Sequence, residues 1–376
     1  MINNIKHTLT RNLLNLPGWR TNRKIVVIES DDWGSIRMPS KEVYNKFLEH
    51  GIRVDQNPYS KYDSLATPDD LDALFEVLNS VKDKNRNPAV LTANAVVANP
   101  DFEKIKESDF KHYFHEPFTE TLNRSKMTES SFLLWKQGME AGVFHPQFHG
   151  REHLNVKKWL NALRNDEKLT QIAFDYGTFG LWPSEESGIK GDYMGAFNSG
   201  LPQDIKEYNK LLQEGLYQFE KLFGYKSKSF IPTTYTWSPD IEQVLMSNGV
   251  KYLQGMVHQR IPIDDDTNFK YKKNNFTGYR SKAGLLYVTR NVYFEPSQNL
   301  SFDWISDCLN RIKIAFRWRK PVIISMHRLN VIGAIDETNR TRNLKLLKEL
   351  LVKITRQWSD VEFMSTDQVG DLISIA

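Results

Sequence analysis

Two adjacent aspartates close an apolar run, Lys24-Ile-Val-Val-Ile-Glu-Ser-Asp31-Asp32-Trp33-Gly34. Much later comes a histidine cluster, His145-Pro-Gln-Phe-His149-Gly-Arg-Glu-His153. One carboxylate and two imidazoles suffice to hold a zinc-like cation and leave a position open for water. Asp32, His149 and His153 supply that set, and Asp31 is left beside the ion as a proton acceptor. The chemistry available to such a group is metal-assisted hydrolysis. A third stretch, Val322-Ile-Ile-Ser-Met-His327-Arg328, ends another apolar run on a histidine that could protonate a leaving group.

Spacing constrains how these residues meet. In a strand, residues four apart lie roughly 13 Å from one another, too far to share an ion. On a helical turn the same pair stacks about 5–6 Å apart at Cβ. The reading therefore places a strand-to-helix turn at His149, eased by Gly150, and leaves His145 outside the site in the preceding strand. Consecutive strand residues point to opposite faces, so Asp31 and Asp32 can serve one site only if the strand is ending, which Gly34 favours. The plainer alternative makes either aspartate a helix cap and the histidines ordinary polar residues.

Those residues must be carried by a sheet. Runs at 24–30, 89–97, 143–148, 171–176, 229–234, 251–256, 285–294, 321–326 and 361–364 read as strands. Helices are expected at 156–164, 204–223, 239–248, 302–317 and 339–357, with another led in by Thr67-Pro-Asp-Asp-Leu. Strand and helix alternate, and the strands are apolar on both faces, which predicts a parallel sheet curled into an irregular (β/α)7 barrel. Sites in such barrels gather at the carboxyl ends of the strands, where Asp31, His149 and His327 all fall. Stretches 33–66, 98–130 and 177–203 are too long for plain connections and are expected as loops over that mouth. The first contains a short helical pattern at 41–50. The polar strip 264–275 reads as a solvated loop. No linker divides the 376 residues, so one domain is expected across 1–376, with a helical extension at 1–20.

The bulk composition removes several classes. A formal charge of +4, from 50 basic and 46 acidic residues, comes without a dense basic block or nucleic-acid motif, so no nucleic-acid partner is expected. The single cysteine, Cys308, cannot form an internal disulfide and reads as a core thiol. No stretch approaches a transmembrane span of roughly 18 apolar residues, and the beginning of the chain lacks a signal-peptide core, so a cytoplasmic protein is expected. Ile2, Ile5, Leu9, Leu13 and Leu16 follow helical spacing. That stripe is expected to pack on the body of the protein, with a membrane-surface helix as the alternative. No protein partner is predicted.

With these residues in view, the chain resembles the polysaccharide deacetylases, the NodB-homology group or carbohydrate esterase family four, over residues 24 to about 330. The motifs that carry the likeness are Ile28-Glu-Ser-Asp31-Asp32, the His149-x-x-x-His153 pair and His327 after its strand. The resemblance implies a barrel of seven or so βα units, Asp31 as catalytic base, His327 as catalytic acid, and Asp32, His149 and His153 as metal ligands. Two departures stand out. The family's arginine before a proline and an aromatic residue is missing from Phe230-Ile-Pro232-Thr-Thr-Tyr235-Thr-Trp237. Arg290, Arg151 or Arg328 could replace it in orienting the base. The aspartate that tunes the acid histidine is not recognisable either, with Glu295 and Asp303 as candidates.

The resulting expectation is a zinc-dependent hydrolase that removes N- or O-acetyl groups from a sugar or glycan precursor. Trp33, Tyr235, Trp237 and Arg290 are expected around the substrate, and a backbone N–H near Tyr235 would hold the oxyanion. Two alternatives remain: an amidohydrolase of a small non-sugar amide or cyclic imide on the same barrel, and a catalytically silent carbohydrate-binding protein.

Overall fold

The computed structural model describes residues 9–375. Its main sheet contains β1 (Lys24–Trp33), β2 (Leu91–Val96), β3 (Phe144–Gly150), β4 (Ser229–Phe230), β5 (Tyr252–Gly255), β6 (Leu286–Thr289), β7 (Val292–Tyr293), β8 (Val322–His327) and β9 (Val361–Phe363). Neighbours run β6-β5-β4-β3-β2-β1-β8-β7, all parallel, with β9 added on the amino-terminal half of β1. The two ends of this order, β6 and β7, are halves of one extended segment broken at Arg290-Asn291. Its first half pairs with β5 and its second half with β8, so the sheet curls round on itself into a seven-position α/β barrel.

Helices cover the outside because each barrel strand must connect to a parallel neighbour across its own face. The principal ones are α1 (Pro68–Ser80), α2 (Ser131–Glu140), α3 (Val156–Arg164), α4 (Pro202–Phe223), α5 (Trp304–Arg317), α6 (Glu337–Gln357) and α7 (Thr366–Ser374). Thr67 starts α1 with a capping box on Asp70, followed by Pro68 at the first helical position. α1 packs against α2 and α6, and α6 against α5. Cys308 of α5 is fully buried, as its sequence neighbours implied.

Strand periodicity sets the radial layering. Val26 and Ile28 of β1, and Val322, Ile324 and Met326 of β8, face outward into the large core beneath the helices. The alternate residues face inward and change character with height. Ile25, Val27 and Ile323 join Val369 and Ile373 of α7, which contacts the strands at the amino-terminal end. One step higher the interior becomes polar: Glu29, Ser325, Asn94 and Gln254 are buried there and hydrogen-bonded. The next inward positions are Asp31 and His327.

Three local expectations are revised. Residues 171–176 belong to a helix, Lys168–Asp175, not a strand. Glu167 caps it by accepting from the N–H groups of Leu169 and Thr170, and it lies in the long connection between β3 and β4. The polar strip 264–275 contains the second strand of an antiparallel hairpin, Phe269–Lys272 on Gln259–Pro262. The amino-terminal stripe does not pack inward: Leu9, Leu13 and Leu16 are exposed, while Asn15 is buried. Ile2 and Ile5 lie outside the described residues.

Candidate metal centre and catalytic floor

Asp31 and Asp32 reach one site because β1 is irregular at its end. Its pairing with β2 shifts register between Ser30 and Trp33, and Asp32 adopts a left-handed backbone with φ 73°. A bulge of this kind re-aims side chains that a regular strand would send to opposite faces. Aspartate tolerates the left-handed region better than most residues. Gly34 follows with φ 81°, and a Cβ there would sit 2.7 Å from the Val96 carbonyl, so the turn requires glycine.

Asp32, His149 and His153 converge, each offering a ligand atom within 4.8 Å of the others, and all three are buried. Asp32 Oδ1 lies 3.5 Å from His149 Nε2 and 3.3 Å from His153 Nε2. The helical turn expected between the histidines is not what joins them. β3 runs through Gly150, the chain then bends, and α3 begins only at Val156. Gly150 with φ 121° makes that reversal, leaving the imidazole centroids 5.0 Å apart.

The donor set fits a cation. His149 Nδ1 bonds the Ile231 carbonyl at 2.8 Å, which fixes the tautomer with its Nε2 lone pair toward Asp32. That Nε2 is buried without a hydrogen-bond partner among the described residues, an orphan that a ligand bond would satisfy. Burial holds His153 down at about 3 against the pull of Asp32, so its imidazole is neutral and able to donate a lone pair. Burial alone would raise the Asp32 carboxyl, but the Arg37 guanidinium outweighs it and keeps the group ionised. Arg37 donates to Asp32 Oδ2 at 2.9 Å, leaving Oδ1 for the imidazole side.

Asp31 sits in a separate clamp. Arg290 donates to its Oδ2 and Oδ1 at 2.6 Å each, and Asn94 to Oδ1 at 2.8 Å. Arg290 also bonds Glu29 at 2.6 Å and the Tyr235 hydroxyl at 2.8 Å. Burial pushes Asp31 upward, but the Arg290 charge and hydrogen bonds prevail and hold it at about 2. Of Arg151, Arg290 and Arg328, only Arg290 reaches Asp31. Arg151 is occupied by Glu152 and Glu214, and Arg328 by Asp63.

His327 completes the floor. Its Nε2 is 3.9 Å from Asp31 Oδ2, and its Nδ1 is 2.6 Å from Glu295. Burial would lower this imidazole, yet Glu295 overrides it and raises the group to about 9. Asp303, the other candidate partner, instead caps α5. His145 is elsewhere, paired with Asp367 at 3.1 Å.

Above these groups lies a cavity of about 660 Å³. Met38 and Tyr59 from the 33–66 insertion, Leu181 and Trp182 from the 177–203 insertion, and Tyr235 help to wall it. The 98–130 insertion instead borders a neighbouring cavity, through Glu116 and Arg124. Trp33 and Trp237 do not reach this cavity. Trp33 is 1 % exposed and packs edge-on against Trp135 and Phe144, its indole N–H on Ser30. Trp237 is equally buried, with its N–H on Glu242. Arg290 lies beneath the cavity rather than in its wall. The Tyr235 backbone N–H is already donated to the Pro232 carbonyl at 3.2 Å, so it is not a free oxyanion donor.

Several residues escape sequence reasoning. Glu29 and Asn94 carry a readable signal, each a polar residue within an element expected as a buried strand. Arg37 and Tyr59 carry none, since nothing local marks an insertion residue as folding back over the floor.

Comparison with known proteins gives only distant likenesses. Glycosyl hydrolase family 57 matches residues 196–353, less than half of the chain and beyond the Asp32, His149 and His153 trio. No curated protein sequence matches. Among solved structures, a protein of Mycobacterium smegmatis described as a polysaccharide deacetylase superposes with a TM-score of 0.45 at 10% identity, over 96% of this chain and 93% of that one. Puue allantoinase gives 0.45 at 10%, over 94% and 91%. The 4-alpha-glucanotransferase of Thermococcus litoralis gives 0.44 at 8%, over 93% and 40%. At these scores the resemblance carries no functional weight.

Proposed function

We propose that the protein is a metal-dependent hydrolase that removes an acetyl group from an amino sugar or glycan precursor. The observation that carries this reading is the separation of duties on one floor. Asp32, His149 and His153 form a buried trio, Asp31 is held beside it by Arg290, and His327 is held by Glu295. A divalent cation held by that trio, zinc by the preference of imidazole and carboxylate donors, supplies Lewis acidity and lowers the pKa of water.

The remaining work belongs to side chains. Asp31, ionised and fixed by Arg290, accepts the proton of the attacking water. His327, protonated on its Glu295 partner, gives a proton to the departing nitrogen or oxygen. The Tyr235 hydroxyl, at the cavity wall and bonded to Arg290, is placed to touch the substrate. Tyr59, edge-on to the His327 ring at 5.3 Å, shields the acid from bulk water.

A glycosidase reading fits less well. That reaction requires one carboxyl group to stay protonated as the acid, and Asp31 and Asp32 are both held ionised by arginines. It also leaves the orphaned His149 nitrogen unexplained. The deciding experiment loads the purified protein with zinc and follows acetate release from N-acetylated amino sugars and O-acetyl sugars, beside ring opening of cyclic imides. Acetate release that disappears in Asp31→Asn supports the proposal. Turnover of the imides alone transfers the assignment to an amidohydrolase, and saccharide binding without any turnover to a silent binder.

A further inference from the structure

The amino-terminal helix is inverted. Over residues 9–14 and the turn that follows, its polar side faces the protein. Arg11 pairs with Asp307 of α5, Asn12 accepts from the Trp318 indole at 2.9 Å, and the Asn15 amide is buried against the Arg11 carbonyl. The leucine side faces out, with Leu9 60% exposed and Leu13 55%, and Leu14 and Leu16 beside them. A surface helix ordinarily buries its apolar stripe, because each leucine left in water forgoes the free energy of burial. Here specific polar contacts secure the opposite orientation.

Charge says what the leucines face. Residues 1–28 carry five Lys or Arg and no Asp or Glu, and residues 308–320 carry another five, of which Arg11 and Arg311 pair with Asp307, Arg23 with Glu362 and Lys24 with Asp360. The two segments touch: the Thr21 N–H bonds the Arg319 carbonyl, Trp318 bonds Asn12, and Lys320 bonds the carbonyls of residues 17–19. Arg20, Lys313, Arg317 and Arg319 are exposed around them. Leucines that enter an acyl boundary, flanked by cations that meet phosphate head groups, make the pattern of an interfacial helix. No helix among the described residues is long and apolar enough to cross a membrane.

We propose that this face docks the protein peripherally on an anionic lipid surface, Leu9 and Leu13 entering the interface and the exposed Arg20, Lys313, Arg317 and Arg319 holding the head groups. The site lies on the outside of α5, so docking leaves the catalytic floor untouched.

The test is co-sedimentation of the full chain with vesicles of phosphatidylcholine alone or with about 30 mol% phosphatidylglycerol. The protein is expected to bind the anionic vesicles at least about tenfold more tightly than the neutral ones, and less tightly in high salt. Leu9→Glu with Leu13→Glu should weaken anionic binding by about tenfold or more without lowering the melting temperature, since both side chains are exposed. Absence of binding by the parent protein, or binding undiminished in the double variant, overturns the proposal. So does a parent dimer that the same variant dissociates while vesicles are ignored, which would assign the face to a second copy of the chain.

Discussion

Asp31 and His327 are register partners on adjacent parallel strands, with Asp31 Oδ2 and His327 Nε2 3.9 Å apart. Each is also tied from behind, Asp31 by Arg290 and His327 by Glu295, and the two ties work in opposite senses. Arg290 keeps a proton off the carboxylate, and Glu295 keeps one on the imidazole. The pair therefore rests as carboxylate and imidazolium at neutral pH without exchanging its proton.

Asp31→Asn separates chemistry from metal retention. Asp31 is not among the trio, so metal content measured by elemental analysis should stay near that of the parent. Loss of the base should lower kcat by about 10²–10⁴-fold. Unchanged turnover would remove Asp31 from the mechanism.

Glu295→Gln tests the acid. The folded imidazole of His327 stands at about 9, above its ordinary value, so the protonated donor is present below that pH and lost above it. The same group contributes stability that is complete below its unfolded pKa and disappears as pH rises through about 9. Without Glu295, burial dominates, and the alkaline limb of the rate profile should move toward neutral pH. A limb that stays in place when rates are measured across alkaline buffers would exclude His327 as the donor.

Metal binding should appear in stability as well as in rate. Zinc at about 1,000 times its dissociation constant adds about 4 kcal/mol to the folded state, worth a melting-temperature rise of about 5 °C for a chain this long. His153→Ala should remove that rise, as calorimetry with and without chelator would show. An equal rise in the variant would place the ion elsewhere.

How much of the site is legible in the sequence follows from physical range. The apolar runs of β1, β3 and β8 are local, and where they stop puts Asp31, His149 and His327 at strand ends. Residues 171–176 mislead because a short apolar run looks alike in a strand and in a half-buried helix. Trp33 misleads for a related reason, since adjacency to Asp32 does not say which face an aromatic occupies once a bulge intervenes. Arg290 emerges from the sequence only as one of three, because its partner Asp31 is far away along the chain and pairing of that kind leaves no local mark. The leucine stripe is plain as a periodicity, but its direction depends on Asp307 and Trp318, which belong to the other end of the chain.

Arg290→Met addresses the most consequential of those distant pairings. The guanidinium is fully buried between Glu29 and Asp31, and both carboxylates are themselves almost fully buried. Removing it strands two acids in the barrel interior, with Thr366 left on Glu29 and Asn94 on Asp31. Breaking a buried pair from one side costs about 3–5 kcal/mol, so denaturant unfolding should show a loss of at least that order. Arg290→Lys keeps the charge but cannot bond both Asp31 oxygens and Glu29 as a planar fork does. It should recover much of the stability while kcat remains depressed, because Asp31 loses its fixed orientation. If the lysine variant restored rate and stability together, Arg290 would be a structural counter-ion only, and the base would need another means of alignment.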